Sequence, residues 1–348
     1  MKNIRKFENR TAFETYRQGG VDYPLMASTQ KDMYFLTPPT IYYTTTDGNQ
    51  ISDSNTRLQS YILSHIKKTD GSFKIVLKDT MTSIPSDCFR ACTTLKTISF
   101  KNLINVTGIG STLLYGCTSL QSVNLSGFNK VTTIGIYFLT GCTSLESVDL
   151  SPLRSLTAIG GEFLYNCSSL QNVDFSGLHN VNSIGSEFLL GCKALQTINL
   201  SGLNNVSSIG NSFLNSCSSL QSIDLSPLSN VTSIGNEFLL NCKALQSIDA
   251  SALNKLNSVG NSFIQGCDGL PTIDLSQLSS ITSIGNSFIQ NSAVLKTVTL
   301  PNTTGITAIG TNYFYACPQL SMIYCPKGTL AFYQSKMSNR ASIMFEMN

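Results

Sequence analysis

The sequence predicts an α/β solenoid, a chain wound into stacked coils, because residues of one kind recur at intervals of 25. Cysteine or its replacement Ser292 fills one column, and a leucine always follows three residues later, from Leu95 to Leu320. A third column is phenylalanine, at positions 138, 163, 188, 213, 238, 263 and 288. A unit this short cannot bury its apolar side alone, so successive units must stack. We therefore expect about ten 25-residue coils with terminal caps.

One face of each coil is predicted to be a short β-strand. In the unit from Cys217 to Asn241, Ile223 and Leu225 lie on one side of an extended segment and Asp224 on the other. Stacked units place these strands side by side, about 4.8 Å apart, in a parallel sheet.

The opposite face is predicted to hold short helical turns. Apolar residues between Gly235 and Leu245 follow the spacing of one helical face. Val231 and Ile234 indicate a second short extended piece, and the glycine that follows is expected to turn the chain with a positive φ.

The chain is expected to contain a leader or attachment segment (1–40), an N-terminal cap (41–80), the repeats (81–325) and a C-terminal cap (326–348). In the first 80 residues we predict a helix at Thr11–Arg17, a hairpin of Leu25–Ser28 with Met33–Leu36, a helix at Asn55–Lys68 capped by Ser54, and a strand at Phe73–Leu77. In the C-terminal cap we predict a helix to Lys336 capped by Thr329, and a strand at Ile343–Phe345.

The repeat resembles a known family. Its Leu-x-x-Ile/Val-x-Leu core, joined to Ile-Gly-x-x-Phe-Leu-x-x-Cys-x-x-Leu, resembles the BspA-like (Treponema-type) leucine-rich repeats of bacterial surface proteins. The flanks Ile41–Gly48 and Ile323–Tyr333 resemble the opening and closing units of Bacteroides-type members. The resemblance covers residues 41 to 345. It implies a right-handed leucine-rich-repeat solenoid at the cell surface or secreted, which adheres to host or bacterial surface proteins.

Composition excludes several classes of protein. A net charge of +3 without clustered Lys and Arg excludes nucleic acid as a partner. No run approaches the ~18 apolar residues of a membrane span, so we expect no membrane insertion. The start Met1–Lys6 is basic, but Phe7 and Glu8 follow where an apolar stretch would begin, so no signal peptide is visible. A mature chain whose leader has been removed would look the same.

The cysteine column has two interpretations. Stacked cysteines about 5 Å apart would satisfy the disulfide window of roughly 4.4–6.8 Å, and a metal is the other chemical alternative. A small buried thiol in a tight turn explains the column equally well, since Ser292 is tolerated and no C-x-x-C pair occurs. We expect free, buried thiols, with Cys88 and Cys325 as core residues outside the column.

An exposed column is the candidate binding site. We call it the Asx row, because each member is Asp or Asn on the outward side of a predicted strand: Asn124, Asp149, Asp174, Asn199, Asp224, Asp249 and Asp274. Adjacent carboxylates about 5 Å apart repel by roughly 0.8 kcal/mol in water, and a basic protein ligand or a cation would relieve this. The alternative is a solvated sheet face with no ligand.

Catalysis has little support in the sequence. His65 is expected on the surface of the N-terminal helix and His179 in a repeat loop, and no P-loop or H-E-x-x-H motif occurs. We predict no enzyme, no catalytic residue, no metal and no cofactor. The expected function is that of a monomer binding a protein ligand. The alternative is a structural spacer or a fibre or tail component, possibly phage-derived, assembled through residues 1–40.

Overall fold

The repeats form a solenoid of about ten coils in a computed structural model that describes residues 4–7, 25–29, 32–302 and 305–347. The fold prediction is thereby confirmed. The predicted helix at Thr11–Arg17 lies outside the described residues. The strands, in chain order, are β1 (Ile4–Phe7), β2 (Leu25–Thr29), β3 (Asp32–Leu36), β4 (Thr40–Thr45), β5 (Ile62–Lys67), β6 (Phe73–Leu77), β7 (Ser83–Ile84), β8 (Leu95–Lys101), β9 (Gly108–Ile109), β10 (Ser122–Asn124), β11 (Thr133–Ile134), β12 (Ser147–Asp149), β13 (Asn172–Asp174), β14 (Ser183–Ile184), β15 (Thr197–Asn199), β16 (Ser208–Ile209), β17 (Ser233–Ile234), β18 (Ser258–Val259), β19 (Thr272–Asp274), β20 (Ser283–Ile284), β21 (Thr297–Thr299), β22 (Ala308–Ile309), β23 (Met322–Cys325) and β24 (Met344–Glu346).

Two sets of parallel strands run along the stack. In one, strands at the predicted Leu-x-x-Ile/Val-x-Leu positions pair in a register of 25 residues, as Val148 does with Val173 in β12 and β13. The strand predicted at Ile223–Leu225 is not formed, and residues 248–250 of the next coil also lack one. In the other, two-residue strands pair in the same register, as Ser208 does with Ser233 in β16 and β17. The second extended piece predicted near Ile234 is thus confirmed.

The phenylalanine column is a continuous stack in the core. Phe188, Phe213 and Phe238 have ring centroids 5.2 and 5.1 Å apart and rings inclined by only 7–8°. All three are fully buried. Aromatic packing therefore stabilises the 25-residue period of the coils, in addition to backbone pairing.

The predicted helical turns are replaced by consecutive non-helical turns. Glu237, Leu239 and Asn241 have positive φ values of 63°, 58° and 60°. Their amides donate to other coils: Leu239 to the Phe213 carbonyl behind, and Glu237 and Asn241 to carbonyls in the coil ahead. Because these amides bond between coils, they cannot form the i to i−4 bonds of a helix. Short 3₁₀ turns do occur elsewhere, at Ser151–Leu153, Ser226–Leu228 and Ser251–Leu253.

The role predicted for the column glycine is wrong. Gly285 does not have a positive φ. In this segment the positive φ values occur at other residues, such as Ser287. A β-carbon at Gly285 would instead lie 2.5 Å from the carbonyl carbon and oxygen of Gly260 in the neighbouring coil. Glycine is required there by the close approach of two backbones.

The N-terminal cap corrects another prediction. The helix expected at Asn55–Lys68 is only the single turn α1 (Asp53–Thr56), and Ser52 caps it in place of Ser54. Strand β5 follows and pairs antiparallel with β6, which in turn pairs with β4, and β4 joins the repeat sheet through β8. The predicted strand at Phe73–Leu77 is confirmed.

The remaining terminal elements agree with the sequence. Strands β2 and β3 form the predicted antiparallel hairpin, and β1 adds to the other side of β3. At the C-terminal end, α2 (Leu330–Lys336) is the predicted helix, and a 3₁₀ segment (Ser338–Ile343) leads into β24. Thr329 is the N-cap residue of α2, as predicted, but its side chain makes no capping hydrogen bond, and its hydroxyl donates to the Pro326 carbonyl.

Candidate binding face

The Asx row lies on the outer side of the strand face, and all seven side chains are exposed. Asp149 and Asp174 are directly paired across β12 and β13, and Asp174 is paired with Asn199 across β13 and β15. The structure thus brings the predicted residues into one line along the stack.

Every member of the Asx row has a structural role that the sequence prediction missed. Its side-chain Oδ1 accepts a hydrogen bond from the backbone N–H two residues later, at 2.8–3.0 Å. The donor is always a serine, as in Ser226 N–H to Asp224 Oδ1. This is an Asx turn, which Asp or Asn can form equally. The recurring Asx-x-Ser pattern was the signal that could have revealed it.

Two hydrogen bonds from Ser251 lower the pKa of Asp249 below the usual aspartate value. The bond from the Ser251 side chain has the larger effect and the bond from its backbone N–H the smaller. Within the described residues, no group of three or more His, Cys, Asp or Glu side chains is arranged to hold a metal ion.

The two ends of the same strand face differ from its acidic centre. At the N-terminal end the row continues from Asn124 to Ser99 and Tyr42 through the paired strands β10, β8 and β4. At the C-terminal end it continues to Tyr324 and the half-exposed Phe345. Polar residues dominate the middle, and aromatic residues stand at both ends.

The cysteine column consists of free, buried thiols. From Cys117 onward each thiol donates to the backbone carbonyl 28 residues earlier at 3.0–3.3 Å, as Cys217 does to Leu189. Burial raises the pKa of Cys167 and of Cys267 to about 12. At the substituted position, the buried Ser292 hydroxyl has no hydrogen-bond partner among the described residues. Each of these thiols therefore links two coils by a hydrogen bond, and the Ser292 hydroxyl makes no such bond.

His65 is not the surface residue that we expected. Its side chain is 3% exposed and lies in β5, where Nδ1 contacts the Asp53 carboxylate at 2.5 Å and Nε2 contacts the Tyr43 hydroxyl at 2.7 Å. Tyr43 also accepts from the Ile51 N–H. These bonds connect β4, β5 and α1, so His65 stabilises the N-terminal cap. His179 is exposed, and its carbonyl accepts from Asn205.

Comparison with protein families decides the relationship. The BspA-type leucine-rich repeat region, in six copies, matches residues 56–178, 152–256 and 251–344. The chain belongs to this family. BspA-type leucine-rich repeat proteins are typically cell-surface proteins engaged in protein interactions, and the repeats are generally non-catalytic scaffolds.

A solved structure supports the same fold. A leucine-rich repeat protein from Bacteroides ovatus is 22% identical, with 89% of this chain and 75% of that chain covered and a TM-score of 0.60. A leucine-rich cell surface protein from Faecalibacterium prausnitzii is 18% identical, with 94% and 96% covered and a TM-score of 0.45. No curated protein matches the sequence. Among the described residues, no helix has the length and apolar character needed to cross a membrane.

Proposed function

We propose that this member of the BspA-type family is a non-catalytic, monomeric adhesion protein, displayed at the cell surface or secreted, that binds host or bacterial surface proteins. The observation that supports it most directly is the Asx row. Five exposed aspartates lie in one row along the outer face of the solenoid, while their neighbours in the chain, such as Val148 and Leu150, are buried. Such a line of like charges favours a basic partner surface.

The Asx turns make a clean test possible. Changing Asp149, Asp174, Asp224, Asp249 and Asp274 together to Asn removes five charges but keeps every turn, since Asn124 and Asn199 already form it. Binding to a panel of purified host matrix proteins would be measured by surface plasmon resonance, with circular dichroism as the check on folding. We expect the substituted chain to lose binding at least tenfold. Binding that is unchanged in a folded variant would contradict the role of the row.

A structural spacer is the second candidate, and the uniformity of the coils favours it. Phe213, Phe238 and Phe263 repeat the same 5.1 Å stacking without interruption. In this alternative the chain is a fibre or tail component, possibly phage-derived, assembled through residues 1–40, where β1, β2 and β3 form a sheet of their own. Removing residues 1–36 leaves β4 intact. If the oligomeric state is the same with and without them, this alternative is weakened.

A further inference from the structure

The side of the solenoid formed by the positive-φ turns has one region where exposed residues depart from the repeat. Ile136 is 47% exposed, whereas its equivalents in the other coils are Ser, Gly, Asn or Thr. In the next column, Tyr137, Glu162 and Glu187 occupy three successive coils. The stacking of coils does not require particular residues at such exposed positions. Residues of this kind, grouped in neighbouring coils, indicate a surface that contacts a partner.

These side chains contact one another from coil to coil. The rings of Tyr115 and Tyr137 have centroids 5.9 Å apart and meet edge to face. The Tyr137 hydroxyl donates to the Glu162 carboxylate. A β-carbon at Gly161 would lie 3.8 Å from Cγ2 of Ile136, so the isoleucine lies beside the residue that precedes Glu162. We call this surface the Tyr-Glu strip, formed by Tyr115, Ile136, Tyr137, Glu162 and Glu187.

The two glutamates of the strip have no cationic partner. Among the residues that the structure describes, no Lys, Arg or His forms an ion pair with Glu162 or Glu187. Burial, and then the charge of Glu187, raise the pKa of Glu162 above its usual value. Glu237 in the same column differs, because Ser212 Oγ and Asn215 Nδ2 donate to its carboxylate at 2.8 and 3.0 Å. A cation bound at the strip would relieve the repulsion between Glu162 and Glu187.

The first coils of the same columns show which cation suits these side chains. The guanidinium carbon of Arg90 lies 5.3 Å from the centre of the Tyr115 ring, and Arg90 also pairs with the Asp87 carboxylate at 3.2 Å. In the described part of the chain, no cation lies over the Tyr137 ring. A guanidinium stacks on an aromatic ring and can pair with a carboxylate through two parallel N–H bonds, whereas an ammonium acts as a point charge.

We propose that the Tyr-Glu strip binds an arginine-bearing segment of a partner protein. The guanidinium lies against the Tyr137 ring and pairs with the carboxylates of Glu162 and Glu187. An apolar residue next to that arginine packs on the exposed Ile136. The strip lies on the turn side of the solenoid, so this interaction is separate from the function proposed for the Asx row and does not depend on it.

The test uses the full chain and a fluorescein-labelled, acetylated and amidated Gly-Leu-Arg-Leu-Gly peptide, followed by fluorescence anisotropy. Two comparison peptides carry Lys or citrulline in place of Arg, and citrulline keeps the planar shape without the charge. We expect the Arg peptide to bind at least fivefold more tightly than the Lys peptide and at least tenfold more tightly than the citrulline peptide. Equal binding of the Arg and Lys peptides would overturn the proposal, because charge alone would then explain the binding.

Substitutions in one column locate the bound peptide. Glu162→Gln combined with Glu187→Gln is expected to lower the affinity at least tenfold, and Tyr137→Thr several-fold. Threonine fits there, since Thr112 occupies this column in the preceding coil with a φ of 63° against 64° at Tyr137. Glu237→Gln is the matched control and is expected to leave the affinity unchanged. Circular dichroism checks that each variant is folded.

The Asx row is the other acidic surface, so the chain with all five of its aspartates changed to Asn separates the two sites. We expect that chain to keep its full affinity for the Arg peptide. Loss of binding there, with full affinity in the double Gln variant, would overturn the proposal and place the peptide on the Asx row. Failure of the unmodified chain to bind the Arg peptide would also overturn it.

Discussion

The buried columns and the exposed Asx row are equally periodic, but for different physical reasons. Inside, Phe213 repeats because its ring must stack on those of the neighbouring coils, and Cys217 because its thiol must reach the Leu189 carbonyl. Outside, Asp224 repeats because its carboxylate forms a turn by accepting a hydrogen bond from the Ser226 N–H. The inner columns depend on contact between coils, whereas the Asx row depends on contact within one coil. Substitutions should therefore cost much more stability inside than outside.

The largest effect is expected at the closest approach of two coils. Gly285→Ala would place a β-carbon 2.5 Å from the Gly260 carbonyl group, so the coils must separate, and we expect a loss of about 3 kcal/mol in the free energy of unfolding. Gly161→Ala is the matched control, because its nearest neighbour would be the Ser186 carbonyl oxygen at 3.5 Å. Urea unfolding measures both. Equal stability of the two variants would show that close packing between coils does not explain why glycine recurs at this position.

An intermediate effect is expected where the cysteine column is interrupted. Ser292→Cys restores a thiol within reach of the Ile264 carbonyl, the acceptor 28 residues earlier, and should stabilise the chain by about 1 kcal/mol. Ser292→Ala is the comparison, since it removes the unpaired hydroxyl without adding a bond. A Cys variant no more stable than the Ala variant would mean that the thiol contributes by its size and not by its hydrogen bond.

The smallest effect is expected in the Asx row. The folded chain holds the pKa of Asp249 below its unfolded value, so the stability that this carboxylate contributes is complete above the unfolded pKa, near 3.9, and is lost as pH falls through the folded pKa. Asp249→Asn keeps the turn without the titrating group. Thermal unfolding between pH 2 and 6 should therefore show a slightly weaker acid dependence in the variant. Identical pH profiles would contradict this account.

The sequence predicted well which repeated residues are buried, but it predicted less well the backbone conformation, both in the repeats and in the N-terminal cap. The columns of Leu220, Phe213 and Cys217 are buried as predicted, because a period of 25 leaves one solution for stacking. In the cap, Leu58, Ile62 and Ile66 fit a helical period, yet Leu58 is fully buried and Ile66 is 49% exposed in a strand. Local spacing failed there because pairing with β6 decides the structure.

The exposed position of the Asx row was predicted from the sequence, but its hydrogen bonding was not. Charge and exposure placed the Asx row on the outer face, whereas the bond from Ser226 to Asp224 depends on a backbone turn that charge does not reveal.

The reactivity of the buried thiols can reveal where the coils of the solenoid separate from one another. Burial holds the pKa of Cys167 and of Cys267 at about 12, so at neutral pH almost none of either is in the reactive thiolate form. A coil that separates from its neighbours exposes its cysteine to water and returns that pKa toward its ordinary value. Alkylation rates, read cysteine by cysteine, would therefore map which coils part first along the solenoid.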